Sequence, residues 1–310
     1  MRTSSTITLL APLRDGIPTP ANGAGVGLPS LRSASLIALA CVAALAAACG
    51  SRPDHVVAAR VSGELPRTDP FAAAWEAAPE FEAPLQPQNV IAPHLAQGSV
   101  ERVRVRALHD GRWIAFRLEW EDSTEDVHVT TTVFSDAAAV QLPRTREERP
   151  TVMMGNEGGA VDILFFRAAW QTEDNMGELY PNMPPIHHPP EAAAEGAPRE
   201  EMERHYRPAL AAGNPTVTRP EGASVMAFSA EGYGTLSPPE GGFEVGGRGV
   251  YRDGRWAVVI AREIGEASSP VAPGPRSVVA FAVWNGSNGE VGARKNRSDW
   301  IELEVPGGGS

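Results

Sequence analysis

All but one of the 27 basic residues in this 310-residue chain are arginine, and the exception is Lys295. An arginine stays protonated in proteins, whereas a lysine amine can shed its proton when buried or metal-bound and then offers a lone pair. A site that needs a neutral amine is one that arginine cannot fill. An arginine-biased composition also leaves a single lysine anywhere by chance, so composition by itself leaves both readings open. The second chemically unusual place is Pro150-Thr151-Val152-Met153-Met154-Gly155. Methionines on such a turn either fill gaps in a core or present a thioether, a soft ligand of the kind haem iron takes. His187 and His188 can ligate a metal, but adjacent histidines on a proline-rich stretch, with no carboxylate at ligand spacing, read as solvent-facing.

Several chemistries are excluded. The two cysteines, Cys41 and Cys49, lie in one apolar stretch near the N-terminus, so the body of the chain contains no thiol. That removes disulfides, cysteine-ligated zinc, iron–sulfur clusters and covalent haem attachment. No Gly-x-Ser-x-Gly elbow or phosphate loop is present. A formal charge of −11 argues against nucleic acid and against an anionic membrane surface as partners.

The elements that would position these residues follow from periodicity. Residues 34–48 form an uncharged apolar stretch between Arg32 and Cys49. It is short for a bilayer span and suits the apolar core of an export signal. Small residues ahead of Cys49 resemble a bacterial lipobox, although Leu45 lies one position further back than that pattern prefers. The reading is a signal over 1–49 ending at an acylated Cys49, with an uncleaved anchor or ordinary secretion as alternatives, and a tether over 50–68. The protein is then expected on the periplasmic side of the envelope, lipid-anchored. Over 69–306 a single β-rich domain is expected. Asp69-Pro70 before FAAAWEAA predicts one short capped helix. Residues 101–108 alternate polar and apolar, His109–Arg112 supply turn chemistry, and WIAFRLEW returns. The same strand-Asp-Gly-Arg-Trp-strand pattern recurs over 249–262. Further strands are expected at 127–134, 160–166, 277–284 and 300–305, and a long Pro/His-rich loop at 171–223. Short alternating strands with few helices predict an antiparallel β-sandwich.

In chain order, FRLEWEDST (116–124), SDAAAVQLP (135–143), MMGNEGGAVDILFFRAAW (153–170), AAGNP (211–215), AEGYGTL (230–236), GRWAVVIAR (254–262) and FAVWNGSNGEVGARKNRSDW (281–300) resemble the ethylbenzene dehydrogenase-type haem-binding family. That family comprises haem b, or γ, subunits of molybdenum enzymes of the dimethyl sulfoxide reductase type. The resemblance spans roughly Ala83 to Val305. It implies a sandwich related in shape to sugar-binding modules, holding one non-covalent haem b between a methionine and a lysine. The methionine maps onto Met154, with Met153 as the one-residue alternative, and the lysine onto Lys295. Two axial ligands would leave no open iron site, so the implied role is one-electron transfer rather than catalysis. The implied partner is a molybdenum or iron–sulfur enzyme subunit or a c-type cytochrome. Relatives tend to carry Pro-Val-Asn where this chain has Ala160-Val161-Asp162, and the lipobox departs from a soluble subunit. Asp122, Asp136 and Asp162 read first as strand-end caps and second as neighbours of the haem propionates. The competing readings are a haem-free envelope sandwich that binds carbohydrate or another ligand, using exposed Trp113 and Trp256 as stacking platforms, and a structural or assembly subunit that keeps the fold without the cofactor.

Acylation makes a direct prediction. A fatty-acid analogue should label the expressed protein and its Cys41→Ser variant but not Cys49→Ser; the reverse pattern would move the processing site.

Overall fold

The computed structural model describes residues 53–130, 132–146, 149–172, 222–239, 242–266 and 269–307. Cys41, Cys49, His187 and His188, and all of the 171–223 loop except its ends, lie outside the described residues. Thirteen strands are present: β1 Val56–Arg60, β2 Phe81–Pro84, β3 Gln86–Pro87, β4 Arg102–His109, β5 Trp113–Glu121, β6 Ala137–Pro143, β7 Val161–Arg167, β8 Val225–Ala230, β9 Val245–Arg252, β10 Arg255–Glu263, β11 Ser277–Trp284, β12 Asn296–Arg297 and β13 Ile301–Glu304. They form a β-sandwich. One layer runs β9-β10-β5-β4, with β2 also pairing with β4; the other runs β8-β7-β6-β11, with β12 and β3 continuing from β11.

One edge of the sandwich is sewn shut. Val56 and Val57 of β1 pair with β13, whereas Ala58–Arg60 pair with β4, so this strand passes from one layer to the other. Both pairings are parallel, which departs from the purely antiparallel sandwich expected. It also means that the segment 50–68, expected to be a tether, contains a structural strand. Val56 and Ala58 supply the reason, since both bury their side chains in the main core. That core lies between the layers, where Phe116 meets Phe281 edge-on at 6.3 Å and Phe166 meets Trp256 at 5.9 Å.

The two Asp-Gly-Arg-Trp turns differ in construction. In the first, the Asp110 carboxylate accepts hydrogen bonds from the Arg112 and Trp113 amides at 2.8 and 2.7 Å, and the loop spans four residues between His109 and Ile114. In the second, Asp253 and Gly254 both take positive φ (52° and 74°), giving a two-residue hairpin between Arg252 and Arg255. The two tryptophans diverge accordingly. Trp113 packs on the outer face of its layer with Leu65 and Trp75, and Trp256 enters the main core. The expected helix is a 3-10 helix, Ala73–Ala77, whose Trp75 lies in that outer cluster. The Asp69 carboxylate accepts from the Phe71 amide at 2.9 Å, but the helix starts at Ala73 with Ala72 at its N-cap and no side-chain cap, three residues beyond the expected Asp69 cap.

The strand expected at 127–134 is absent. Asp126 and Asp136 close the base of this segment on each other: the Asp136 amide donates to the Asp126 carbonyl, and the Asp126 amide donates to the Asp136 carboxylate, both at 2.8 Å. The intervening chain turns on itself instead of pairing, with the Thr130 amide donating to the Val133 carbonyl. Asp136 also accepts from the Gly286 amide at 2.8 Å and from the Trp256 indole at 2.9 Å. Despite these donors, burial pushes its carboxyl up to about 7. An aspartate whose folded pKa lies above its unfolded value binds a proton on folding, so its contribution to stability grows as pH falls from about 7 toward 4. Unfolding free energies of wild type and Asp136→Asn, measured across that window, should show the variant losing this component of the slope. Identical slopes would mean that Asp136 is ionised in the folded protein.

Candidate functional site

The β8-β7-β6-β11 layer has an unusual outer face. Alternation sends Val140, Leu164, Phe166, Phe281 and Val283 inward to the main core. It sends small residues outward: Ala137, Ala139 and Ala282 form a second buried cluster with Trp284, flanked by Ile163 and Phe165. These residues floor a cleft of about 450 Å³. Alanines in the middle strands with aromatic residues around them leave a broad apolar slot.

Met153, Met154 and Lys295 all line this cleft. The register fixes where they stand. Arg167, Ala137 and Trp284 make one row across β7, β6 and β11. Lys295, two residues before Arg297 and hence one pair beyond Asn296 opposite Val283, continues that row; its amine lies 5.3 Å from the Trp284 ring centroid. The methionine turn is at the other end. Gln141, four residues along β6 from Ala137 and therefore about 13 Å away, donates to the Val152 carbonyl at 2.9 Å. The thioethers and the amine thus approach the alanine floor from opposite ends.

Each is held by hydrogen bonds from separate elements. The Met154 carbonyl accepts from the Gly232 amide at 2.8 Å, the Gly155 amide donates to Thr151 at 2.9 Å, and the Trp300 indole donates to the Pro150 carbonyl at 2.7 Å. Met154 has φ 69°, a left-handed conformation that non-glycine residues seldom adopt. Such strain concentrates at functional positions. Met153 is the more buried of the two. On the other side, the buried Gln88 clamps the lysine segment: its amide donates to the Lys295 carbonyl at 2.8 Å and its side chain to the Ala293 carbonyl at 3.0 Å. Burial, with the Arg297 guanidinium adding to it, pulls the Lys295 amine down to about 8. Among the described residues no carboxylate pairs with this amine.

Sequence reasoning brought together Met154 and Lys295 but missed Gln88 and Arg167, whose roles depend on strand register. Asp122, Asp136 and Asp162 do not line the cleft. Asp122 and Asp136 flank the ends of β5 and β6 as the capping reading expects. Asp162 instead lies inside β7, where its carboxylate accepts from Ser229 and pairs with Arg262, each at 3.0 Å. Trp113 and Trp256, the platforms of the carbohydrate reading, are 5% and 1% exposed and offer no stacking face.

The sequence profile of the family described as ethylbenzene dehydrogenase matches residues 72–296. The chain belongs to this family. A protein of Haloferax mediterranei that carries the name of a respiratory nitrate reductase heme subunit, ORF7, is 27% identical over 261 residues, covering 80% of this chain and 75% of its own. Among solved structures, the family 9 carbohydrate-binding module of Caldicellulosiruptor kristjanssonii in complex with cellotriose aligns over 82% of this chain and 95% of its own, at 8% identity and a TM-score of 0.39. Its complex with glucose aligns over 81% and 96%, at 9% identity and a TM-score of 0.37.

The methionine turn carries a stability prediction. A Cβ on Gly155 would stand 2.6 Å from the Gly159 carbonyl oxygen and 2.8 Å from that of Ala230, at φ +77°. Gly158 has a similar φ, +74°, and open space. In urea unfolding Gly158→Ala should cost about 1–2 kcal/mol from conformation alone, and Gly155→Ala distinctly more.

Proposed function

We propose that this protein is a haem b-binding electron-transfer subunit in which Met154 and Lys295 are the axial ligands of the iron. The observation that carries the reading is the convergence of a thioether and the chain's only lysine on one apolar cleft, from opposite ends of a floor of alanines. Membership of the family and the name of the Haloferax mediterranei relative support it. The residues fit a haem by their chemistry: a soft sulfur donor, an amine that burial inclines toward its neutral form, and small side chains where a flat ring needs room.

A haem held this way supplies one-electron exchange between its ferric and ferrous states. The chain's own part is positional. The alanine floor and the surrounding aromatic residues exclude water from the cleft. Gln88 fixes the backbone of the amine donor, and Gln141 and Gly232 fix that of the thioether donor, so neither has to search for its place. Met154 is preferred to Met153 because its backbone is held in a left-handed conformation on the cleft, whereas Met153 packs as a core residue. Were Met154 and Lys295 both to hold the iron, they would leave it no open site for oxygen or substrate, which would suit a non-catalytic subunit. We place it in a complex with a molybdenum or iron–sulfur oxidoreductase, or in exchange with a c-type cytochrome. An acylated Cys49 would keep it on the periplasmic side of the envelope.

The test is spectroscopic. Protein reconstituted with haem should give a low-spin Soret spectrum and a b-type pyridine haemochrome. Lys295→Arg should convert the iron to a high-spin or water-ligated form, because a guanidinium keeps its proton. Met154→Ala should lower the potential or raise the spin, and Met153→Ala should do so less. An unchanged low-spin spectrum in Lys295→Arg would remove the lysine from the site, and exchanged behaviour of the two methionine variants would move the ligand by one residue.

A further inference from the structure

Among the described residues Arg167 is a cation without a partner in an apolar place. It follows Phe165 by two residues on β7, so it faces the cleft, in the row of Ala137 and Trp284. Among the described residues none accepts a hydrogen bond from its guanidinium or forms an ion pair with it. Other arginines near the sandwich are engaged: Arg262 pairs with Asp162 at 3.0 Å, and Arg146 donates to the carbonyls of Ser269, Ala272 and Pro275. Arg297, on the opposite flank of the floor, is partly committed, donating to the Asp299 carboxylate at 2.6 Å and to the Ser298 carbonyl. The one carboxylate among the cleft residues, Glu290, is spent on the Asn285 amide, Ser99, Asn288 and Asn296. In a chain of net charge −11, the cleft is cationic.

A half-buried guanidinium loses hydration that nothing in the protein returns, and burial accordingly lowers its pKa. Such an arrangement is stable when a ligand brings the missing anion, and planar guanidinium matches carboxylate in a two-point fork. Resting on the haem reading above, we infer that Arg167 is the anchor for a propionate carboxylate of the bound haem, so that the cleft selects a porphyrin carrying free acid groups. Arg167 is a positioning residue: it fixes how the ring sits between the two ligand-bearing segments and does not touch the iron.

The experiment compares haem with its dimethyl ester in the full chain, following transfer to excess apomyoglobin by the Soret band. Wild type should release the ester roughly ten-fold faster than haem, the size of one charge-assisted hydrogen-bonded pair. Arg167→Gln should release both at the ester's rate. Arg167→Lys should recover part of the discrimination as a point charge, and Arg297→Gln should keep most of it; circular dichroism establishes that each variant is folded. If Arg167→Gln still discriminates by the wild-type factor, or wild type does not discriminate, the inference is overturned while the haem reading stands. If wild type forms no Soret complex with either porphyrin, both fall together.

Discussion

A strand in a sheet has two faces, and β6 and β11 bury both of them. Everything else about the cleft follows from that constraint. The inner face takes Val140, Leu142, Phe281 and Val283, which fill the space between the layers. The outer face has no second layer to pack on, so its side chains are small, and the protection it needs comes from the loops that rim it and from what occupies it. A surface of this kind left bare would be an aggregation site; shaped by alanines and walled by Phe165 and Trp284, it has the form of a slot for a flat guest. The sandwich supplies rigidity, and the site is an attachment to one of its faces.

The segments that carry Met154 and Lys295 are both irregular backbone held by regular neighbours. The methionine turn is tied to β6 through Gln141, to the chain after β8 through Gly232 and to Trp300 just ahead of β13. The lysine segment is tied to β3 and its continuation through Gln88. Loops are where strained conformations such as that of Met154 can be tolerated, and strands are what make the strain persist. Three basic side chains, Arg167, Lys295 and Arg297, line the cleft against one acidic one, Glu290, within a chain of net charge −11. Such a distribution favours an anionic guest inside and a basic partner outside.

Much of this was legible in the sequence because period-two alternation is a direct consequence of strand geometry. It located β4, β5, β7, β10, β11 and β13 closely, and Asp-Gly turns marked both hairpins. The strands β1, β2, β3, β6, β8 and β12 escaped it, and 127–134 was read as a strand it does not form; three of these cases have separate physical reasons. β6 is rich in alanine, which carries little strand preference. β1 is short and follows the apolar stretch 34–48, so it merged with the expected tether. Residues 127–134 alternate well but are closed at the base by Asp126 and Asp136, a contact no periodicity encodes. At the site, Lys295 stood out by composition and the methionines by their turn and by family resemblance. Gln88 and Arg167 look like ordinary polar residues until the register aligns them with the cleft.

The seam formed by β1 has a consequence for how the chain reaches this structure. Val56 pairs with Leu303 and Ala58 with Ala107, so β1 binds both β13 and β4. Hairpins such as β4–β5 and β9–β10 are local and can form as soon as their residues exist. The edge that closes the sandwich cannot, because its two partners, Val56 and Leu303, lie 247 residues apart in the chain. Closing so long a loop is entropically expensive and places the protein among slow folders of high contact order. Until that edge closes, the sandwich remains open along one side, so folding finishes only after β13 has come to lie beside β1.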